Sequence, residues 1–317
     1  MPSEFDHLLT PEPTFPPDHR AGFVAIVGKP NVGKSTLMNQ LVGERLSIIT
    51  SKAQTTRHRI LGILNGDDFQ LIYSDTPGII TPQYALHQKM MGFVHSSLED
   101  ADVVLFVTDI YEQYDEEPVV QRLRKLAAPG EDHVPVLLLV NKVDQATQEV
   151  VEAKLAYWRE HFPEATEIIP ISALEGFGVA YVFSEIKARL PLHPPFYPKD
   201  ELTDKPERFF AAEMVREQIF LNYKKEIPYS CEVVVDEFKE DDTIIRMRAT
   251  ILVERESQKG IIIGEGGLAL KRVGVGARKA LETFFAKHVH LELHVKCDPD
   301  WRSDTRKLKR FGYDLSE

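Results

Sequence analysis

Two cysteines, Cys231 and Cys297, are all that this chain of 317 residues contains. They are too few and too far apart for a disulfide framework, a CxxC motif or a Cys/His metal site, and read as reduced thiols of an intracellular protein. Long apolar runs are missing too: "VPVLLLV" (Val134–Val140), among the longest, is strand-sized and far short of a bilayer span. The N-terminal "MPSEFDHLLTPEPTFPPDHR" lacks a cationic segment followed by an apolar one, which argues against a secretion signal or transit peptide. Its prolines and acids suggest instead a disordered tail over residues 1–20, and a cytoplasmic protein is expected. Nor is there an excess of positive charge. A net charge of −11 argues against non-specific nucleic-acid binding by the whole molecule. The imbalance is uneven: residues 1–200 carry about ten excess acids while 201–317 are close to neutral, which leaves room for a local basic face.

What is present is an ordinary globular composition, 43% hydrophobic and 27% charged, at a length suited to about two domains. Over residues 21–190, "FVAIVG", "FQLIYSD", "DVVLFVTD", "VPVLLLVNK" and "TEIIPIS" read as buried strands ending in polar residues. Helical stretches lie between them, including 34–46, 118–128, 148–162 and 179–190. This alternation predicts an α/β fold, a mainly parallel doubly wound sheet with helices on both faces and ligands at the carboxyl edge of the strands. In "RILGILNGDDFQLIY", Asn65-Gly66 predicts a hairpin and hence one antiparallel edge strand. The proline-dense "PLHPPFYPKDELTDKP" (191–206) is expected to be a linker. A smaller α+β unit over 207–317 should follow. Its expected elements are a helix over 207–224, strands over 230–238 and 243–254, a short helix into "IIIG", and a longer one over 268–287. The strand "HLELHVK" and a short basic helix near 304–310 would close it.

The loop "GKPNVGKS" fits GxxxxGK[ST], follows the strand "FVAIVG" and opens the helix "STLMNQLVG", the context that a phosphate-binding loop requires. Residues Gly28, Lys29, Pro30, Asn31, Val32, Gly33, Lys34, Ser35 and Thr36 would wrap the phosphates, with Gly28 and Gly33 permitting the curl. Lys34 would bridge β- and γ-phosphate oxygens and Ser35 would ligate Mg²⁺. Asp75 ends a strand and would hold the metal through water, while the Gly78 N–H would sense the γ-phosphate; Asp75, Thr76, Pro77, Gly78 and Ile79 thus form one responsive turn. Gln54, Thr55, Thr56, Arg57 and His58 lie in a polar stretch suited to ordering by the γ-phosphate–Mg²⁺ pair, with Thr56, or else Thr55, as metal ligand.

The base is read further along. In "NKVD" (Asn141, Lys142, Val143, Asp144) the Asp144 carboxylate can accept both the N1–H and the exocyclic amine of guanine, a donor pair that adenine lacks. Asn141 would hold the O6/N7 side and the Lys142 stem would cover the base. In "ISA" (Ile171, Ser172, Ala173) the backbone N–H groups of Ser172 and Ala173 would approach O6. The nucleotide expected is GTP or GDP rather than ATP.

A second glycine turn, "GEGG" (Gly264, Glu265, Gly266, Gly267), sits between two helices of the smaller unit. Glycines there let a nucleic-acid backbone approach closely, and Lys259, Lys271, Arg272, Arg278 and Lys279 flank the turn with positive charge, Lys271 and Arg278 on one helical face. Ile262, with its neighbours Ile261 and Ile263, would supply apolar groove walls, and "RKLKR" (Arg306–Arg310) a further basic cluster.

The motifs "GKPNVGKS", "QTTRH", "DTPGI", "NKVD" and "ISA" resemble the TrmE–Era–EngA-like class of translation-associated GTPases. The order helix–strand–strand–helix–GxxG–helix–strand resembles a type II KH domain, and together the two units resemble the Era family from Gly22 to Asp314. That resemblance implies a GTP-hydrolysing switch whose KH domain grips single-stranded RNA near the 3′ end of 16S rRNA and which assists maturation of the 30S subunit. It also implies a monomer with a peripheral membrane-associated fraction. Turnover should be slow, because Ile79 and Ile80 stand where Ras-type enzymes carry a water-orienting glutamine. Asn31 would either help to seat a K⁺ ion or serve only as a turn former. Glu265 departs from the family, whose loop offers a basic or neutral polar residue there. A GTPase serving tRNA modification and a GTP-dependent membrane scaffold are the competing readings; the first would need a catalytic cysteine or cofactor loop, and none is evident.

Overall fold

The computed structural model describes residues 15–115, 117–130 and 133–314. Most of the tail expected over 1–20 lies outside the described residues, and its last residue already belongs to a strand. The first domain runs β1 (Arg20–Val27), α1 (Lys34–Val42), β2 (Ile60–Asn65), β3 (Phe69–Asp75), α2 (Ala85–Glu99), β4 (Val103–Asp109), α3 (Pro118–Ala127), β5 (Val136–Asn141), α4 (Gln148–His161), β6 (Glu167–Pro170) and α5 (Val179–Arg189). The strands form one sheet in the order β2-β3-β1-β4-β5-β6, parallel except for β2, which pairs antiparallel with β3 through the expected hairpin. Every residue of β4 and β5 is buried, as strands covered on both faces by helices must be. Register sets Asp75 beside Ile26 and Asp109 beside Asn141, so the polar strand ends line up along the carboxyl edge.

The second domain comprises α6 (Glu207–Asn222), β7 (Cys231–Glu240), β8 (Ile244–Val253), α7 (Glu256–Ile263), α8 (Leu268–Phe285), β9 (His288–Cys297) and α9 (Thr305–Arg310). β7 pairs antiparallel with β8 and β9 parallel with it, the α7–α8 pair serving as the crossover. Its core joins Val215 and Ile219 of α6 to Ile251, Val273 and Ala277.

Packing refines two expectations and overturns a third. Residues 191–206 are not a free tether: the Ile63 N–H donates to Leu202 O at 2.8 Å, and the Gln70 side chain bonds the backbone of Phe196 and Tyr197. Hairpin strand β2 is the sheet edge, and the proline-rich segment takes up the backbone groups left there. The "RKLKR" helix is anchored along one side, while Arg306, Lys309 and Arg310 stay exposed as a basic cluster. Leu308, Trp301 and Tyr313 pack into the core of the first domain with Met90 and Phe93 of α2, while Lys307 and Lys309 are paired with Asp298 and Asp314. Ile262 is fully buried in the second core and is no groove wall.

Candidate functional site

One cavity opens where the carboxyl edges of β1, β3 and β5 meet. It is lined by Asn31, Gly33, Lys34, Ser35 and Thr36, by Gln54, Thr55 and Thr56, by Thr76 and Gly78, and by Asn141, Lys142, Asp144 and Ala173. Gly33 caps α1 at φ 101°, and a Cβ there would lie 2.2 Å from Asn141 Nδ2. Lys34 is buried and its Nζ donates to Gly28 O at 3.0 Å and Lys29 O at 2.8 Å. Burial lowers this ammonium to about 8, against the pull of Asp75 and Glu112. The Lys29 side chain points the other way, to Glu112 and Asp115. Ile79 N–H donates to Gly28 O, so the two loops are tied at the level where a γ-phosphate would enter.

Beside Lys34, Ser35 Oγ lies 2.9 Å from Thr56 Oγ1 and donates to Asp75 Oδ2 at 2.7 Å; Ser47 Oγ donates to the same oxygen at 2.8 Å. The other Asp75 oxygen is buried without a partner, and burial raises the carboxyl above its usual range. Hard oxygen donors around a carboxylate with one oxygen to spare fit a small divalent cation such as Mg²⁺. Thr55 faces elsewhere, its hydroxyl 2.6 Å from Thr50 Oγ1 and donating to Lys52 O at 2.7 Å.

At the base end Asp144 is exposed, accepting from Ser172 Oγ at 2.6 Å. Asn141 ties loops together rather than facing the cavity with free polar atoms: its Nδ2 donates to Val32 O at 2.7 Å, and Ala173 N–H donates to its Oδ1 at 2.9 Å. Ser172 N–H goes to Phe177 O and Val143 N–H to Ile171 O. The backbone donors expected to meet guanine O6 are therefore already engaged, Ser172 N–H by closure of the loop after β6 and Ala173 N–H by the Asn141 side chain. Two contributors went unnoticed in the sequence. Leu174, two-thirds exposed, borders the base end, and Asp109 grips Lys142 Nζ at 2.6 Å. Asp109 carried a legible signal, a carboxylate closing the strand "DVVLFVTD", and register sets it directly beside Asn141 of "NKVD".

The segment 54–58 does not hang free either. Arg216 of α6 donates to Thr55 O; Arg57 is buried under the second domain, donating to the carbonyls of Pro228, Tyr229 and Cys231 and to Glu232. His58 stacks on Tyr313 at 4.1 Å. The expectation of a stretch ordered only by phosphate and metal is corrected: Arg57 is held by carbonyls and a carboxylate of the other domain, Thr55 O by Arg216, and His58 by stacking on Tyr313.

In the second domain, Gly264, Gly266 and Gly267 all take positive φ between the end of α7 and the start of α8, and Glu265 is exposed. A groove beside the turn is lined by Gly267, Leu270, Lys271, Gly274, Val275, Arg278, Leu291 and Leu293, with Leu268 and Arg272 at its rim. Its apolar walls come from α8 and β9, not from the isoleucines before the turn. Lys259 pairs with Glu256 and Arg278 with Glu282, while Lys279 is exposed outside the groove.

Residues 23–142 match the 50S ribosome-binding GTPase family and residues 226–302 the KH domain family. The chain is 44% identical over 298 residues to GTPase Era of Syntrophus aciditrophicus, covering 93% of this chain and 95% of that one. It is 45% identical over 298 residues to the chloroplastic GTPase ERA1 of Zea mays, covering 93% and 71%. The chain belongs to the Era family of GTPases. Among solved structures, Era in complex with MgGDPNP and nucleotides 1506–1542 of 16S ribosomal RNA superposes with a TM-score of 0.86 at 40% identity, covering 94% of this chain and all of that one. An Aquifex aeolicus Era variant bound to GDP.AlF4⁻ gives the same TM-score and identity over 93% of this chain. This Era-family GTPase thus joins a phosphate-loop domain to an RNA-binding KH domain, and the two glycine turns fall one in each.

Proposed function

We propose that this Era-family protein binds GTP with Mg²⁺, hydrolyses it to GDP and phosphate, and uses the bound state to set how its KH domain holds single-stranded RNA at the 3′ end of 16S rRNA during 30S maturation. The observation that carries the reading is the oxygen cluster of Ser35, Thr56 and Asp75 beside a buried Lys34, in the same cavity as the exposed Asp144. Lys34 would leave the Gly28 and Lys29 carbonyls to neutralise phosphate oxygens. Ser35 and Thr56 would ligate the metal and Asp75 would hold it through water. A bound Mg²⁺ supplies charge neutralisation on the phosphates. Asp144 would select guanine, with Lys142 held over the base by Asp109. Ile79, buried and apolar, orients no water, so turnover is slow and rests on charge stabilisation. Thr55, Arg57 and His58 link the metal side of the cavity to the second domain and would transmit the change.

Lys271, Arg272 and the turn 264–267 would meet the RNA backbone, with bases over Leu268, Val275 and Leu291. No helix among the described residues is long and apolar enough to cross a membrane. The protein would act as a cytoplasmic monomer with a peripherally membrane-bound fraction. Calorimetry with GTP, GDP and ATP in Mg²⁺ tests the first half, equal uptake of ATP refuting it. Anisotropy with an oligonucleotide from the 3′ end of 16S rRNA tests the second, where absence of binding refutes it. Turnover compared in K⁺ and Na⁺ decides whether Asn31, whose Nδ2 donates to Ser51 O at 3.2 Å, helps to seat a cation.

A further inference from the structure

Some cations of the second domain are tied to acids, and others, Lys279, Lys296, Arg306 and Arg310 among them, are exposed without an ion-pair partner among the described residues. On the open sheet face and its border, Lys239, Arg246, Arg248 and Lys287 are paired with carboxylates. Lys224 and Lys225, in the turn after α6, are exposed and have no acid partner among the described residues. Lys225 stands at φ 55°, a left-handed conformation uncommon for lysine.

Contacts place this turn between the two sites. Lys52, which lines the nucleotide cavity, donates to the carbonyls of Phe220 and Tyr223 at the end of α6. Lys224 lies near enough to lower the Lys52 ammonium further, after burial has done so. The Tyr223 hydroxyl donates to Ile262 O at 2.6 Å, two residues before the glycine turn. Burial pushes that hydroxyl up to about 12, and the nearby Arg272 guanidinium opposes the rise. Arg272, near the Tyr223 hydroxyl, and Lys224, near Lys52, therefore bracket the end of α6 between the KH turn and the nucleotide cavity, with Lys225 next in the chain.

We propose that Lys224 and Lys225, with Arg272, form a second phosphodiester-binding surface that carries RNA backbone out of the KH groove toward the nucleotide cavity. This rests on the KH domain binding RNA, as argued above. A KH groove accommodates about four nucleotides, so a longer strand must lie on something outside it. A strand already held in the groove reaches the adjoining lysines at high local concentration, whereas a free phosphate would find two mobile side chains and no preformed cradle of N–H groups. Because Lys52 clamps the end of α6 under this surface, RNA lying there sits one contact from the segment that holds Thr55 and Thr56.

The test compares two single-stranded RNAs by fluorescence anisotropy across a salt series. One is just long enough for the groove; the other extends it on both sides by about eight nucleotides. The full-length double variant Lys224→Gln, Lys225→Asn is used, since asparagine tolerates the left-handed position. Expected is a loss of about tenfold for the long RNA, a change within about twofold for the short one, and a salt slope for the long RNA shallower by about 1.4, the value for two lost contacts. Unchanged GTP turnover without RNA reports that the variant is folded. Equal losses at both lengths, or no loss on the long RNA, would overturn the proposal while leaving the KH reading intact. Failure of the short RNA to bind the unsubstituted protein would overturn both.

Discussion

At Gly33 an added Cβ would lie 2.2 Å from Asn141 Nδ2, and at Gly28 2.1 Å from Val107 O; at Gly266 and Gly267 it would meet nothing within 4 Å. Both turns open helices and both take positive φ, yet space decides the first. In the second it matters only at Gly264, where an added Cβ would lie 2.6 Å from Ala269 Cβ, and backbone conformation alone decides Gly266 and Gly267. The first turn is walled by the sheet edge, by Asn141 and by the buried Lys34, so it accepts a ligand of one shape. The second stands clear of the protein with an exposed acid at its tip, which suits a chain passing over it. Sequence patterns of equal simplicity thus carry unequal constraint, and that inequality can be measured.

The largest effect should come from Asp144→Asn. Losing two charge-assisted hydrogen bonds to guanine, each worth roughly 1.5–3 kcal/mol, should lower GTP affinity about 10³-fold. Xanthosine triphosphate, whose 2-oxo group accepts where guanine donates, should gain correspondingly in calorimetric titration. RNA affinity should be untouched. Unchanged preference for guanine would mean that the base is read elsewhere. Gly33→Ala comes next. Left-handed strain of about 1–2 kcal/mol adds to displacement of Asn141, which joins Val32 to Ala173 through two bonds worth about 1 kcal/mol each. Nucleotide titration should show about a 10²-fold loss, and a loss below threefold would contradict the close approach of the loops.

These two sites were legible because their residue types are dictated by the ligand and their positions by the strand ends that carry them. Legibility failed where tertiary contact decides. Ile262 belongs to a run of three isoleucines that all looked equally fit to wall a groove, and only docking of α7 on the second core buries it while leaving Ile261 half exposed. The helix α2 was not singled out, since "ALHQKMMGFVHSSLE" mixes polar and apolar residues too freely; its Met90, Phe93 and Val94 face the sheet and the C-terminal Leu308 and Tyr313 together. The prolines of 191–206 correctly excluded a sheet interior but gave no sign that the segment would be stitched to an edge. Arg57 illustrates the same limit. Nothing local distinguishes a switch arginine bound for solvent from one bound for the carbonyls of Pro228 and Cys231, 171 and 174 residues away.

The open turn yields the smaller effects. Glu265, about 7 Å from a passing phosphate, would oppose RNA by roughly 0.6–2.4 kcal/mol for dielectrics between water and a protein surface. Glu265→Lys should therefore tighten RNA binding about tenfold in anisotropy and steepen its salt dependence; if neither moves, the turn does not face the backbone. Gly266→Ala probes the contrast with Gly33 most directly. With φ 56° and open space around its Cβ, alanine meets only left-handed strain of about 1–2 kcal/mol, which the 3₁₀ turn can relieve by shifting toward solvent. RNA affinity should fall only about threefold and GTP affinity should stay the same. A hundredfold loss of RNA binding from that one methyl group would mean that the strand lies against Gly266 as tightly as Asn141 lies against Gly33, and the second turn would then be as shape-bound as the first.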